Sequence, residues 1–263
     1  MLARTQKHKK NKREIEINLI IRHIEHFINE KFGCLTDGLD ILEFGSGSGY
    51  QIKYLSKLGN VIGSDINVNG EIIEILKDNK FVKCNVYDMP FVKKHFDVIF
   101  SNHVIEHIED LRKGFSELKR LGKEHCLYAF SVPTNIWLLL SIPGQYYLKV
   151  KGLKIVKQIT INSNVSDTNH TDGIITSEND TRKKVIEKFL PHGHGVIRNL
   201  FTCYSSFKIK SWKETFQRND FVIRKVCPLL LYSPSSLPII PTTYRLNRFG
   251  FSSSVLFLMQ KKF

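Results

Sequence analysis

The sequence predicts an α/β protein: a seven-stranded, mostly parallel sheet with helices on both faces, preceded by an N-terminal helix and interrupted by an inserted lid. Three observations lead there. Strand-like and helix-like segments alternate with short connections from Leu39 to Pro133, a rhythm that builds a parallel sheet through crossover helices. The first strand runs straight into a glycine cluster that opens a helix, the usual exit from the carboxyl edge of such a sheet. The 263 residues, 42% apolar, suffice for one large core, which excludes a wholly disordered chain.

Taken in order, Ile17, Ile20, Ile21, Ile24 and Phe27 recur at helical spacing after a basic tail. Residues 39–44 read as a buried strand and 50–58 as a helix. Residues 60–63 form a short strand ending at Asp65, and 71–77 are again helical. Strands are expected at 81–86, 96–101 and 126–132, with a helix at 111–121 between the last two. Regularity fails after Pro133. An aromatic-apolar patch (136–147), a polar stretch (160–180), a short helix (182–190) and the run Pro191-His192-Gly193-His194-Gly195 suggest an insertion. A helix at 211–219, with Ser211 and Glu214 spaced as a capping box, and strands at 221–226 and 254–260 complete the sheet. The organisation expected is one domain over 1–263. It comprises a basic tail and helix (1–36), a cofactor-binding core (37–134), the insertion or lid (135–204), and a closing helix with an antiparallel strand pair (205–263).

The chemistry concentrates in Ile41-Leu42-Glu43-Phe44-Gly45-Ser46-Gly47-Ser48-Gly49. Glycines let the backbone approach a ligand, and the helix that follows offers unpaired N–H donors. Asp65 lies sixteen residues beyond Gly49, at the end of the next strand and so at the same sheet edge. A carboxylate there can accept both hydroxyls of a ribose. A dinucleotide fingerprint counted from Gly45 needs glycine at position 50, where this chain has tyrosine.

E-x-G-x-G-x-G resembles the first motif of class I S-adenosyl-L-methionine methyltransferases, and three further segments arrive in that family's order. They are Asp65, the run Asn85-Val86-Tyr87-Asp88-Met89-Pro90-Phe91, and Phe96 to His107 with its Glu106-His107 pair, common in the methyltransferase type 11 group. The resemblance implies a Rossmann-like fold and S-adenosyl-L-methionine as cofactor. It further implies contacts from Glu43, Gly45, Ser46, Gly47, Gly49, Asp65, Ile66, Asp88, Met89 and Asn102. By analogy the glycine loop packs on the methionine part, Asp88 takes the adenine amino group, and Met89 lies beside the ring. Pro191-His192-Gly193 with Trp212, Phe216, Phe221 and Tyr232 is similar to members that modify cell-surface glycans or lipids, although no acid follows the His-Gly before Glu214.

Methyl transfer from a sulfonium needs no acid for the leaving group, so alignment carries most of it, and a hydroxyl acceptor gains from a base. His103, His192 and His194 are the candidates for that role, whereas His107 is read as structural. Two histidines near 193 hint at metal, but no third ligand is evident, so no metal is expected. Five scattered cysteines without a CxxC pair fit neither a disulfide framework nor a zinc site and suit a cytoplasmic protein. The charge of +14 favours anionic company, although lysine-rich composition alone accounts for much of it. The acceptor expected is a small molecule, lipid or glycan intermediate, with peripheral contact to an anionic membrane through 136–140 left open. Alternatives are a nucleic-acid methyltransferase, which lacks an adenine-methylation signature here, and a non-catalytic binding protein on the same fold. The oligomeric state is not in the sequence.

Overall fold

The computed structural model describes residues 2–33, 38–67, 81–143, 145, 193–197, 199–232 and 251–262. The helix expected at 71–77, the polar stretch 160–180, the helix at 182–190, His192 and the prolines at 234–241 lie outside them. The N-terminal residues form one helix, α1 (Leu2–Phe32), with the basic run inside it rather than ahead of it as a tail. Strand β1 (Leu39–Phe44) matches its expectation. Helix α2 is only Ile52–Leu55. It is cut short because the chain must turn at Gly59, whose backbone lies against Leu39, to enter β2 (Gly59–Asp65). Strand β3 (Phe81–Lys83) is likewise shorter than expected, since residues 84–88 turn away and Asn85 bridges to Asp88.

Strand β4 (Phe96–Asn102) and helix α3 (Leu111–Leu121) follow as expected, whereas strand β5 (Gly122–Pro133) starts four residues before its expected beginning, directly at the end of the helix. Asp110 caps α3 through the Lys113 N–H. After the helical residues 135–143 come α4 (Leu200–Ser206), α5 (Ile209–Arg218), β6 (Phe221–Pro228) and β7 (Ser254–Lys261). The capping box does not form. Helix α5 starts earlier, at a Lys208 cap, which puts Ser211 inside the first turn, where its hydroxyl donates to the Ser205 carbonyl.

The seven strands form one sheet in the order β3-β2-β1-β4-β5-β7-β6. The first five run parallel, and β7 pairs antiparallel with both β5 and β6. Side chains alternate between faces along each strand. Leu42, Phe44, Tyr128, Phe130 and Phe257 pack on one side with Phe115 of α3 and Trp212 and Phe216 of α5. Ile41, Val98, Phe100, Leu127 and Leu258 pack on the other with Ile17, Ile20, Ile24 and Phe27 of α1. The buried Glu16 fixes α1 by accepting a 2.7 Å hydrogen bond from Ser254. Strand order reverses between β1 and β4, so a crevice opens at their carboxyl ends.

Candidate functional site

The glycine turn after β1 is shaped for close approach. Gly45, Gly47 and Gly49 all have left-handed φ (70°, 56° and 67°). A Cβ at Gly45 would lie 2.3 Å from a methyl of Val104, on the exit of β4. The Gly47 N–H donates to the Asp65 carboxylate at 2.8 Å, and the Asn67 N–H donates to its other oxygen at 2.9 Å. A carboxylate accepts about four hydrogen bonds, so Asp65 keeps capacity for ribose hydroxyls. It is held beside the glycine loop as the motif requires.

Two cavities meet at this edge. The larger, about 540 Å³, is lined by Gly45, Asp65, Ile66, Met89, Val104 and His107 among others, a size typical of small-molecule sites. The smaller, about 280 Å³, is more polar and includes Lys12, Arg13, Ser46, Gly47, Gln51 and Asn102. His103 lines both. Glu43, Gly49 and Asp88 line neither. Asp88 is exposed, with its backbone N–H on the Asn85 carbonyl. The turn places Cys84, Asn85, Val86 and Tyr87 against the larger cavity instead.

Glu43 is buried on the α2 side of β1. One carboxylate oxygen accepts from Gln51 Nε2 at 3.1 Å, and Gln51 Oε1 accepts from Asn102 Nδ2 at 2.9 Å. The other Glu43 oxygen and the Asn102 Oδ1 are buried acceptors without a hydrogen bond. Burial, helped by the nearby Asp65 charge, pushes the Glu43 pKa up to about 8. A cationic ammonium would satisfy these acceptors, so the chain Glu43–Gln51–Asn102 fits the amino end of S-adenosylmethionine. Gln51 had no signature in sequence, because the turn after Gly49 alone decides that it reaches Glu43.

The exit of β4 carries the other feature. His103 has a left-handed φ of 56°, unusual for a residue with a side chain. Its N–H is tied to the Ser131 carbonyl at 3.0 Å. Its Nδ1 stands 3.5 Å from Glu106 Oε1, and its Nε2 3.4 Å from the Tyr232 hydroxyl. Burial opposes charge on this ring, but Glu106 outweighs it and raises the pKa. His194 points elsewhere. It lines neither cavity and packs by its ring on His107 and Trp137 (centroids 4.9 and 4.5 Å), its Nε2 4.0 Å from Glu106. Burial, ahead of the opposing Glu106, lowers its pKa.

With this geometry established, comparison with known proteins agrees with it. Residues 42–130 match the family model described as a methyltransferase domain. A ribosomal protein L11 methyltransferase of Dictyoglomus thermophilum is 30% identical over 105 residues, 37% of this chain and 33% of that one. The match thus spans about a third of that relative's length. Among solved structures, the plantazolicin methyltransferase BpumL in complex with a triazolic desmethylPZN analog and SAH is similar at TM-score 0.57 and 12% identity, covering 98% of this chain and 89% of that one. A SAM dependent methyltransferase from Aquifex aeolicus is similar at 0.50 and 13%, covering 97% and 98%. At such identities the structures speak for the fold. Residues 42–130 are thus similar to a methyltransferase domain, and the fold around them is the one these S-adenosylmethionine-dependent structures share.

Proposed function

We propose that this chain, built on a methyltransferase domain, transfers the methyl group of S-adenosylmethionine to an oxygen or nitrogen of a small-molecule, lipid or glycan-intermediate acceptor. One observation carries the reading: a nucleoside-sized cavity edged by Asp65 joins, at His103, a polar one backed by unsatisfied acceptors. When bound, the cofactor supplies an electrophilic methyl whose leaving group departs as a neutral thioether. The protein's share is therefore alignment. Asp65 would hold the ribose, Met89 and Tyr87 would flank the base, and Asn102 with Glu43 would receive the ammonium. Lys12 and Arg13, in the wall of the smaller cavity, suit the carboxylate.

His103 stands between the two ends, where the methyl group would be presented. With the cofactor bound, an acceptor hydroxyl placed there could pass its proton to His103 Nε2 or to solvent as it takes the methyl group, the carbon–sulfur electron pair leaving with the neutral thioether. Helix α1 contributes Lys12, Arg13 and Glu16 to the pocket wall. That favours a compact acceptor, or a protruding group of a larger one, over a flat polymer surface.

Calorimetric titration with S-adenosylmethionine and S-adenosylhomocysteine tests the reading. Both should bind, and D65A should weaken each by about 10- to 100-fold through loss of two charge-assisted hydrogen bonds. Failure of the intact chain to bind either compound overturns it. Flotation with anionic vesicles at low salt tests the lipid version: a chain that stays at the bottom acts on an acceptor away from the membrane.

A further inference from the structure

We propose that Glu106, His107 and His194 hold a divalent transition-metal ion in the wall beside the methyl-transfer site. One ligand atom from each lies within 4.8 Å of the others. The Glu106 side chain is fully buried, and neither of its oxygens accepts a hydrogen bond. A buried carboxylate in that condition needs a cation or donors. What faces it is imidazole: His103 Nδ1 at 3.5 Å, His194 Nε2 at 4.0 Å, and the His107 ring packed on that of His194.

The fold brings these groups together deliberately. Gly195 has a left-handed φ of 68°, and a Cβ there would lie 2.1 Å from the Glu106 carbonyl oxygen. The Val196 N–H donates to that same oxygen at 3.0 Å, and the Cys203 thiol accepts from the His194 N–H at 3.3 Å. Residues 193–197 are thus fastened onto the 3-10 turn Ile105–His107, with His194 directed at Glu106. Gly195 serves this approach, and the two ligands that join His194 both come from the turn after β4.

Two imidazole nitrogens and one carboxylate oxygen suit Zn²⁺, Fe²⁺, Co²⁺ or Mn²⁺ rather than Ca²⁺ or Mg²⁺. Metal–ligand distances of about 2.0–2.2 Å would draw the side chains inward by roughly 1 Å from their present spread. Three protein ligands leave coordination positions open, and His107 also lines the larger cavity. An acceptor hydroxyl reaching such an ion would lose its proton more readily. That use rests on the methyl-transfer reading, whereas binding of the ion does not.

The test is titration of the full chain with Zn²⁺ against a chromogenic chelator, together with the visible spectrum of the Co²⁺ form. One ion per chain is expected, with d–d bands of a nitrogen–oxygen site and no thiolate charge-transfer band. Loss of a second-sphere partner costs about 10- to 100-fold in affinity, so E106Q, H107Q and H194Q should each lose at least about 100-fold. H26A, on the exposed face of α1, should lose none. Thermal unfolding without metal reports whether each variant is folded, and S-adenosylhomocysteine affinity should be unchanged in H194Q. Absence of stoichiometric binding in the intact chain, binding that survives H107Q and H194Q, or a thiolate band would each overturn the proposal. None of these outcomes depends on cofactor binding, so its failure and that of the methyl-transfer reading are separable.

Discussion

The glycine turn and the histidine junction are both made by glycines that allow backbone to touch something, yet they are built on opposite plans. The turn lies within nine consecutive residues, 41–49, and meets its carboxylate one strand later. The junction joins residues 103–107 to residues 193–197, almost ninety positions apart, and depends on a single glycine seated against a carbonyl. The first is a local device that any parallel strand–turn–helix unit can carry. The second exists only once residues 193–197 have packed on the turn that follows β4. Local devices fail by losing their ligand, and junctions fail by coming apart.

The largest effects should come from breaking each alone. G45A places a methyl 2.3 Å from the Val104 side chain at a left-handed φ. It should lower S-adenosylhomocysteine affinity by more than about 100-fold, as the exit of β4 shifts away from the loop. G195A drives a Cβ into the Glu106 carbonyl, at a cost of about 1–3 kcal/mol in unfolding free energy. Its cofactor affinity should stay within about threefold of the parent. Were G195A to abolish cofactor binding as well, the two regions would be one cooperative unit and the contrast would fail.

An intermediate effect belongs to Glu43. Its folded pKa of about 8 stands above the ordinary value of 4.5, so the folded state keeps a proton that the unfolded chain releases. This contribution is fully present below about pH 4.5 and is lost as pH rises towards 8. It amounts to several kcal/mol in order of magnitude. E43Q should flatten that decline in urea unfolding curves measured across the window. Binding of a cationic cofactor would favour ionised Glu43, so calorimetric heats at pH 7 should vary with buffer ionisation enthalpy in the parent and not in E43Q. The smallest effect is expected for S211A. A working N-cap would be worth about 1 kcal/mol. An exposed hydroxyl donating to Ser205 should be worth about 0.5 kcal/mol or less by thermal denaturation.

These regions also separate what was legible in sequence from what was not. The alternation from Leu39 to Pro133 determined the parallel sheet, because apolar period and glycine punctuation are properties of neighbouring residues. The same locality determined Gly45, Gly47 and Asp65, whose hydrogen bond closes over a single strand connection. It misjudged the capping box, since helix α5 starts where packing of Trp212 and Phe216 places it rather than at the best cap. It expected the strand to run on to residue 86, whereas β3 ends at Lys83 and the turn beyond it leaves Asp88 exposed while Met89 is buried.

Only the tertiary structure decided that Gln51 links Glu43 to Asn102, that His103 divides two cavities, and that His194 meets Glu106 and His107. Each of these depends on the approach of segments whose separation along the chain carries no periodic signal. Their geometry is set by sheet order and by backbone contacts at Gly195 and Val196. The sequence by itself determined the strand, the turn and the acid that fit a cofactor, because these are written in adjacent residues. What surrounds the place where a methyl group would be received was settled by the meeting of distant ones.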